Sequence, residues 1–135
     1  MGESLVMLSS AADNQSIPHE YTWTAATNNN IIYPGSTVPS SQSLTCDGDI
    51  AIVTAMIVWG ESPTFYGVSA MGIVSNGGTT DLTSVTYIYR YRNASAGLYT
   101  YGTSQVAGNV SFTASTLTVT AASYRYIGEI RAFTF

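Results

Sequence analysis

Residues 50–59, with the sequence IAIVTAMIVW, are the segment from which the fold class can be read. Successive side chains of a β-strand point to opposite faces, so Ile50 begins one face of this segment and Ala51 begins the other. Both faces are predominantly apolar, whereas a strand with one face in water alternates apolar with polar residues. We therefore expect residues 50–59 to form a central strand that is covered on both sides.

The rest of the chain has the composition of short strands and turns. Runs of Val, Ile, Thr, Tyr and Phe are separated by Gly, Asn, Ser and Pro, and no segment has the periodicity of an amphipathic helix. The predicted strands are residues 5–8, 20–24, 50–59, 65–74, 81–92, 98–101, 110–112, 117–119 and 124–135. Eight to ten strands at this spacing predict an all-β fold, either an antiparallel β-sandwich or a jelly-roll-like barrel.

The predicted strands are unevenly distributed along the chain. Residues 25–43 are rich in Asn, Ser and Pro and predict a long loop. A loop of this length in a compact domain is commonly functional. We expect one β-domain over residues 1–135, with a loop-rich part at 1–48 and a strand-dense core at 49–135.

The composition favours contact with other proteins over catalysis or nucleic-acid binding. Only 9% of the residues are charged, against about 25% in an average soluble domain. All four cationic residues are arginines, and the net charge is −4. A surface rich in hydroxyls and poor in charge is weakly protected against association. The acidic balance argues against a nucleic-acid partner, because phosphate binding uses clusters of Lys and Arg.

The N-terminal residues and the apolar runs predict no membrane partner. The segment at 1–6 lacks the basic region and the long apolar run of a secretory signal peptide. No run approaches the roughly 18 apolar residues that a membrane span needs.

The single cysteine, Cys46, excludes a disulfide within the chain.

The residues that could carry chemistry are few and scattered. His19 is the only histidine, and no sequence motif connects it to Cys46. The sequence Asp47-Gly48-Asp49 resembles a fragment of a calcium loop but lacks the further oxygen ligands, so a turn explains it better. We therefore expect no enzyme activity, no metal site and no cofactor.

A contact with another subunit is predicted at the central strand and its neighbour. One interpretation is that a loop covers the outer face of residues 50–59, and the other is that a second copy of the chain covers it. Small residues in 65–74 would allow close approach, and we favour the second interpretation. The candidate subunit-contact residues are Ala51, Val53, Ala55, Ile57, Trp59, Tyr66 and Val68.

A row of tyrosines gives a second candidate surface. Alternation places Tyr87, Tyr89 and Tyr91 on one face of a strand, and Tyr99 and Tyr101 add two more rings. Three interpretations remain open, which are burial in the core, a subunit contact, and a ligand contact in which the rings stack on a sugar. These five tyrosines are the candidate ligand-contact residues.

The sequences of residues 110–120 and 124–135, VSFTASTLTVT and YRYIGEIRAFTF, resemble the C-terminal β-domains of tailed-bacteriophage surface proteins. That group includes tail-fibre tips, head fibres and capsid decoration proteins. The resemblance covers about the last 90 residues. It lies in hydroxyl-rich strands and the absence of lysine, and not in a motif, so it transfers no site residue. It implies a non-enzymatic virion protein that forms a symmetric oligomer, with a trimer expected, and that binds other virion proteins.

The length of the chain favours one member of that group. A chain of 135 residues without a shaft fits a capsid decoration or tail accessory protein. The alternative is a receptor- or carbohydrate-binding module that recognises a cell-surface glycan.

Overall fold

The computed structural model describes residues 17–25, 38–61, 64–92, 98–100 and 105–135, and side chains at 17–25, 38–60, 66–84 and 105–135. Nine strands cover most of these ranges, and no helix occurs in them. The strands are β1 (His19–Thr24), β2 (Ser41–Thr45), β3 (Ile50–Glu61), β4 (Thr64–Ser75), β5 (Gly78–Arg92), β6 (Leu98–Thr100), β7 (Val106–Thr113), β8 (Thr116–Ala121) and β9 (Tyr126–Thr134). In these ranges there is accordingly no helix with the length and hydropathy to cross a membrane.

The strands form one antiparallel sheet that closes almost completely into a barrel. Their order is β1-β9-β3-β4-β5-β7-β8-β2, and β6 adds to β5. β9 pairs with β3 on one side and with β1 on the other. Beyond the end of β1, the Ile127 amide donates to the Pro39 carbonyl at 2.8 Å, which brings the segment before β2 against β9. This architecture confirms the prediction of an all-β, barrel-like fold.

The interior of the barrel is filled by side chains. The inward faces of the strands carry small and branched apolar residues, because an eight-stranded barrel is only just wide enough for its own side chains. The largest of the fully buried side chains are Phe112, Ile57, Leu82, Leu117, Ile127 and Ile130. Residues from β3, β4, β7, β8 and β9 join in one core cluster. Packing in this cluster therefore supplies the main stabilisation of the fold.

The two ends of the barrel differ in construction. We call the lower end the one with the turns at 46–49, 76–77 and 114–115, and the upper end the one where β1, β3, β5 and β8 finish. Asn76 joins the three lower turns. Its side-chain amide donates to the carbonyls of Gly48 at 2.9 Å and Ala114 at 2.7 Å, and its backbone amide donates to Asp49 at 2.7 Å.

Gly48 allows the last strand to lie against the turn before β3. A Cβ atom at Gly48 would lie 2.9 Å from both the Phe135 carbonyl oxygen and the Thr134 Cβ, closer than side chains tolerate. Its φ of 143° is also one that L-residues rarely adopt. The turn at 46–49 therefore needs a glycine for close approach.

Most strand predictions are confirmed, and one strand was missed. The observed strands extend the predicted ones by one to four residues at several ends, and residues 124 and 125 belong to a turn instead of β9. β2 begins in the segment 25–43 that we predicted as a loop and ends at Thr45. Its alternation of Gln42 and Leu44 with serines was obscured by the Ser-rich composition. The predicted strand at 5–8 lies outside the described residues.

We predict that Asn76→Ala lowers the free energy of unfolding by about 1–2 kcal/mol, because it removes two side-chain hydrogen bonds. Asn109→Ala serves as the control, since Asn109 is also exposed and lies in β7. Urea unfolding followed by circular dichroism measures both variants. Equal stability of the two variants would contradict the role assigned to Asn76.

Candidate functional site

The residues predicted to contact another subunit lie on the inward face of the barrel. Ala51, Val53, Ala55, Ile57 and Val68 are at most 1% exposed. Trp59 and Tyr66 are partly buried and pack against the same core. The assignment of a subunit contact to this face is therefore corrected. The reason is that the sheet closes on itself, so that β7 and β8 of the same chain cover β3.

The opposite face of β3 and its neighbours carries the exposed apolar residues. We define the outer patch as Ile50, Ile52, Met56, Met71, Ile73 and Phe133. Within it Ile73 is 63% exposed, Met71 is 45% exposed and Ile50 is 42% exposed, and the other three are partly exposed. The face of residues 50–59 that we did not select is thus partly exposed from Ile50 to Met56.

The strand register makes the outer patch continuous. Ile52 pairs with Phe133 of β9 on one side and with Ile73 of β4 on the other. Directly paired residues on one face of an antiparallel sheet lie about 5 Å apart, so these three side chains form an unbroken row. In the next row, Thr54 lies between Arg131 and Met71. A continuous, partly exposed row of large apolar residues in the middle of a sheet is a feature of interaction surfaces.

Polar residues border the outer patch and form a shallow groove beside it. The groove measures about 430 Å³ and is lined by Thr54, Met56, Ser69, Glu129, Arg131 and Phe133. Arg131 Nε lies 3.5 Å from Glu20 Oε2 of β1, and both side chains are about half exposed. An exposed ion pair of this length contributes little to stability. The pair therefore holds two opposite charges at the border of the patch at low energetic cost.

Residues that flank β1 and β2 cover the upper part of the same face. The register shifts between Met56 and Ile57, where β9 has Gly128 as an extra residue. Above this bulge, Val58 is fully buried and clusters with Ala25 and Val38. Cover by the chain itself, the interpretation that we did not favour, therefore applies at Val58, against whose cluster Met56 also packs. Ile50, Met71 and Ile73 stay exposed.

An aromatic and cationic cluster lies at the upper end of the barrel. The rings of Trp59 and Tyr66 stack with centroids 5.8 Å apart and an interplanar angle of 23°. The Arg125 guanidinium carbon lies 4.3 Å from the Trp59 ring centroid, which is the geometry of a cation–π contact. Trp59 and Tyr66 thus form the top layer of the core, and Arg125 covers it.

The structure places the backbone of four of the five candidate ligand-contact tyrosines. Tyr87, Tyr89 and Tyr91 lie in β5, and Tyr99 in β6. Tyr87 pairs with Thr100, and Ile88 pairs with Tyr99, so these residues are adjacent in the sheet. Tyr101 lies outside the described residues. That these five tyrosines contact a ligand stays a prediction.

The candidate chemical residues do not form a site. His19 is exposed in β1 and Cys46 is buried after β2, and neither side chain has a hydrogen bond to the other. In the described part of the chain, no three His, Cys, Asp or Glu residues are grouped so that they could hold a metal ion. The Asp47 amide donates to the Tyr21 hydroxyl at 3.2 Å, as expected for a residue in a structural turn.

A comparison with protein-family models, with curated proteins and with solved structures found no match for this chain. The functional argument therefore rests on the residues and their placement.

We predict that Cys46 reacts slowly with iodoacetamide in the folded protein. Burial raises the pKa of the Cys46 thiol above its ordinary value of 9.0, and the neighbouring Asp47 carboxylate raises it further. The reactive thiolate is therefore scarce at pH 8, and the sulfur is shielded. Mass spectrometry should show fast alkylation in 8 M urea and slow alkylation without urea. Equal rates in the two conditions would contradict the burial of Cys46.

The raised pKa of the Cys46 thiol also makes the stability of the fold depend on pH. Because the folded state holds the thiol proton more tightly than the unfolded state, this contribution is complete below the ordinary pKa and is lost as the pH rises through the raised pKa.

Proposed function

We propose that this protein is a non-enzymatic structural subunit that assembles with copies of itself through the outer patch. The observation that carries the proposal is the continuous row of Phe133, Ile52 and Ile73, in which Ile73 is 63% exposed and the other two side chains are partly exposed. Covering this row removes large apolar side chains from water at about 25 cal/mol per Å². Association is therefore favourable for any partner that presents a matching flat surface.

The charges beside the outer patch support a second copy as the partner. The patch is bordered by the cation Arg131 and by the carboxylates Glu20 and Glu129, so it carries both signs of charge. When two such faces meet across a two-fold axis, the arginine of each can approach a carboxylate of the other. A patch of a single sign would oppose this pairing, and the low overall charge of the chain keeps long-range repulsion small.

The size of the patch sets the expected strength of the contact. Three strands of about seven residues each cover roughly 330 Å², from a strand spacing of about 4.8 Å and a rise of about 3.3 Å per residue. A standard stable interface buries about 800 Å² on each partner. One patch alone therefore supports a weak, concentration-dependent contact, and a stable particle would need further contacts around each subunit.

The virion as the place of assembly is proposed on the resemblance of the C-terminal sequence to phage surface proteins. A decoration or accessory protein of this kind works by contact alone, which agrees with the proposed role. The trimer and the binding of other virion proteins stay predictions of that resemblance.

We predict that Ile73→Asp shifts the self-association equilibrium toward the monomer by at least tenfold. The substitution places a carboxylate in the middle of the apolar row, where association would bury it without a partner. Sedimentation velocity over a range of protein concentrations measures the equilibrium.

Thr116→Asp is the control for this substitution. Thr116 is an exposed β-branched residue on β8, four strands from β3 in the sheet order, and its change to Asp also lowers β-propensity. It should leave self-association unchanged. The proposal fails if the wild-type chain is monomeric at millimolar concentration, or if both variants affect association equally.

A further inference from the structure

Tyr124 stands at the upper end in a backbone conformation that does not suit its side chain. It is the third residue of the turn 122–125, which the Arg125 amide closes by donating to the Ala122 carbonyl at 3.0 Å. Its φ is 60°, a value that turns of this kind normally assign to Gly or Asn. The ring is nevertheless 89% exposed. The fold therefore accepts backbone strain to display an aromatic ring that contributes almost nothing to the core.

A polar cleft lies beside this ring. It measures about 330 Å³, and its side-chain functional groups come from Ser40, Thr120, Ser123, Tyr124, Arg125 and Tyr126. The cleft thus combines aromatic rings, hydroxyl groups and one guanidinium. This combination suits a pyranose, whose C–H face stacks on a ring while its hydroxyls exchange hydrogen bonds with Ser and Thr.

The cationic group in the cleft is held in place. Arg125 rests on the Trp59 ring at 4.3 Å, and no described carboxylate forms an ion pair with it. A guanidinium stacked on an aromatic ring keeps donors at its edge, and their spacing matches the two oxygens of a carboxylate. The cleft therefore offers a fixed position for a carboxylate next to the exposed ring.

The described charges agree with an anion at this end. Arg125 lines the cleft at the upper end, whereas Asp47 and Asp49 lie in the turn at the lower end. A negatively charged ligand therefore meets a cation in the cleft.

We infer that the cleft beside Tyr124 binds an acidic pyranose, with the ring of Tyr124 against the sugar face and Arg125 at the sugar carboxylate. This site is separate from the outer patch. It also differs from the tyrosines of β5 and β6 that the sequence indicated.

Two acidic probes and their neutral counterparts test this inference by isothermal titration. The first pair is trigalacturonic acid and its methyl ester, and the second pair is 3′-sialyllactose and lactose. We expect at least one acidic probe to bind at least tenfold more tightly than its neutral counterpart. Sodium acetate at the same concentration should not compete, because a simple anion lacks the stacking face.

Tyr124→Gly and Ala114→Gly form the matched pair of variants. Ala114 is the other described non-glycine residue with a positive φ, at 56°, and lies in the β7–β8 turn at the lower end. Both substitutions relieve backbone strain, so both should keep or raise the melting temperature. Tyr124→Gly should weaken binding at least tenfold, and Ala114→Gly should change it less than twofold. Arg125→Gln should remove the preference for the acidic probe.

Four results would overturn the inference. These are an absence of binding by both acidic probes, equal binding of acidic and neutral probes, full competition by acetate, and unchanged binding by folded Tyr124→Gly. The melting temperature shows for each variant that the protein is folded. The Ile73→Asp variant should bind the probe as the wild type does, which separates this inference from the proposed assembly.

Discussion

The burial of the inward face of β3 is the constraint on which the rest of the structure depends. Ala51, Val53, Ala55 and Ile57 are apolar and must leave water, and the described chain has no helix to cover them. The sheet therefore curves until β7 and β8 reach the other side, as shown by the shared cluster with Phe112 and Leu117. Closure of the sheet also removes nearly all free strand edges, which protects the chain from edge-to-edge aggregation.

The same closure determines what remains for function. Once the inward face is filled, the outward apolar residues Ile50, Met71 and Ile73 stay exposed, while Val58 is buried by Ala25 and Val38. At the lower end, the hydrogen bonds of Asn76 join the turns to one another. At the upper end, Tyr124 and Arg125 line a cleft. The proposed assembly therefore uses the side of the barrel, and the proposed ligand its upper end.

The fold class was predictable from the sequence because strand periodicity and turn residues are local signals. The assignment of faces was not. Residues 50–59 are apolar on both sides, so the alternation that normally separates core from surface is missing. Only the pairing of β3 with β9 and β4 decides that Val53 faces inward and that Ile52 faces outward.

The candidate site was predictable in part. The sequence indicated that β3 is apolar on both faces, but the residues that we selected as a contact surface are the inward ones, which the core buries. The strain at Tyr124 could not be predicted, because a positive φ at a tyrosine contradicts the local preference of the residue. The missed strand β2 has a similar origin, since a Ser-rich segment becomes a strand only through its pairing with β8.

Hydroxyl-radical footprinting at increasing protein concentration tests the central claim most directly, namely that the outer patch is exposed in the single chain and covered in the assembly. At low concentration Met71, which is 45% exposed, should be oxidised faster than the less exposed Met56. At high concentration the oxidation of Met71 and Ile73 should fall at least several-fold, while that of Tyr124, which is 89% exposed at the upper end, stays constant. Oxidation of Met71 and Ile73 that does not change with protein concentration would contradict the account.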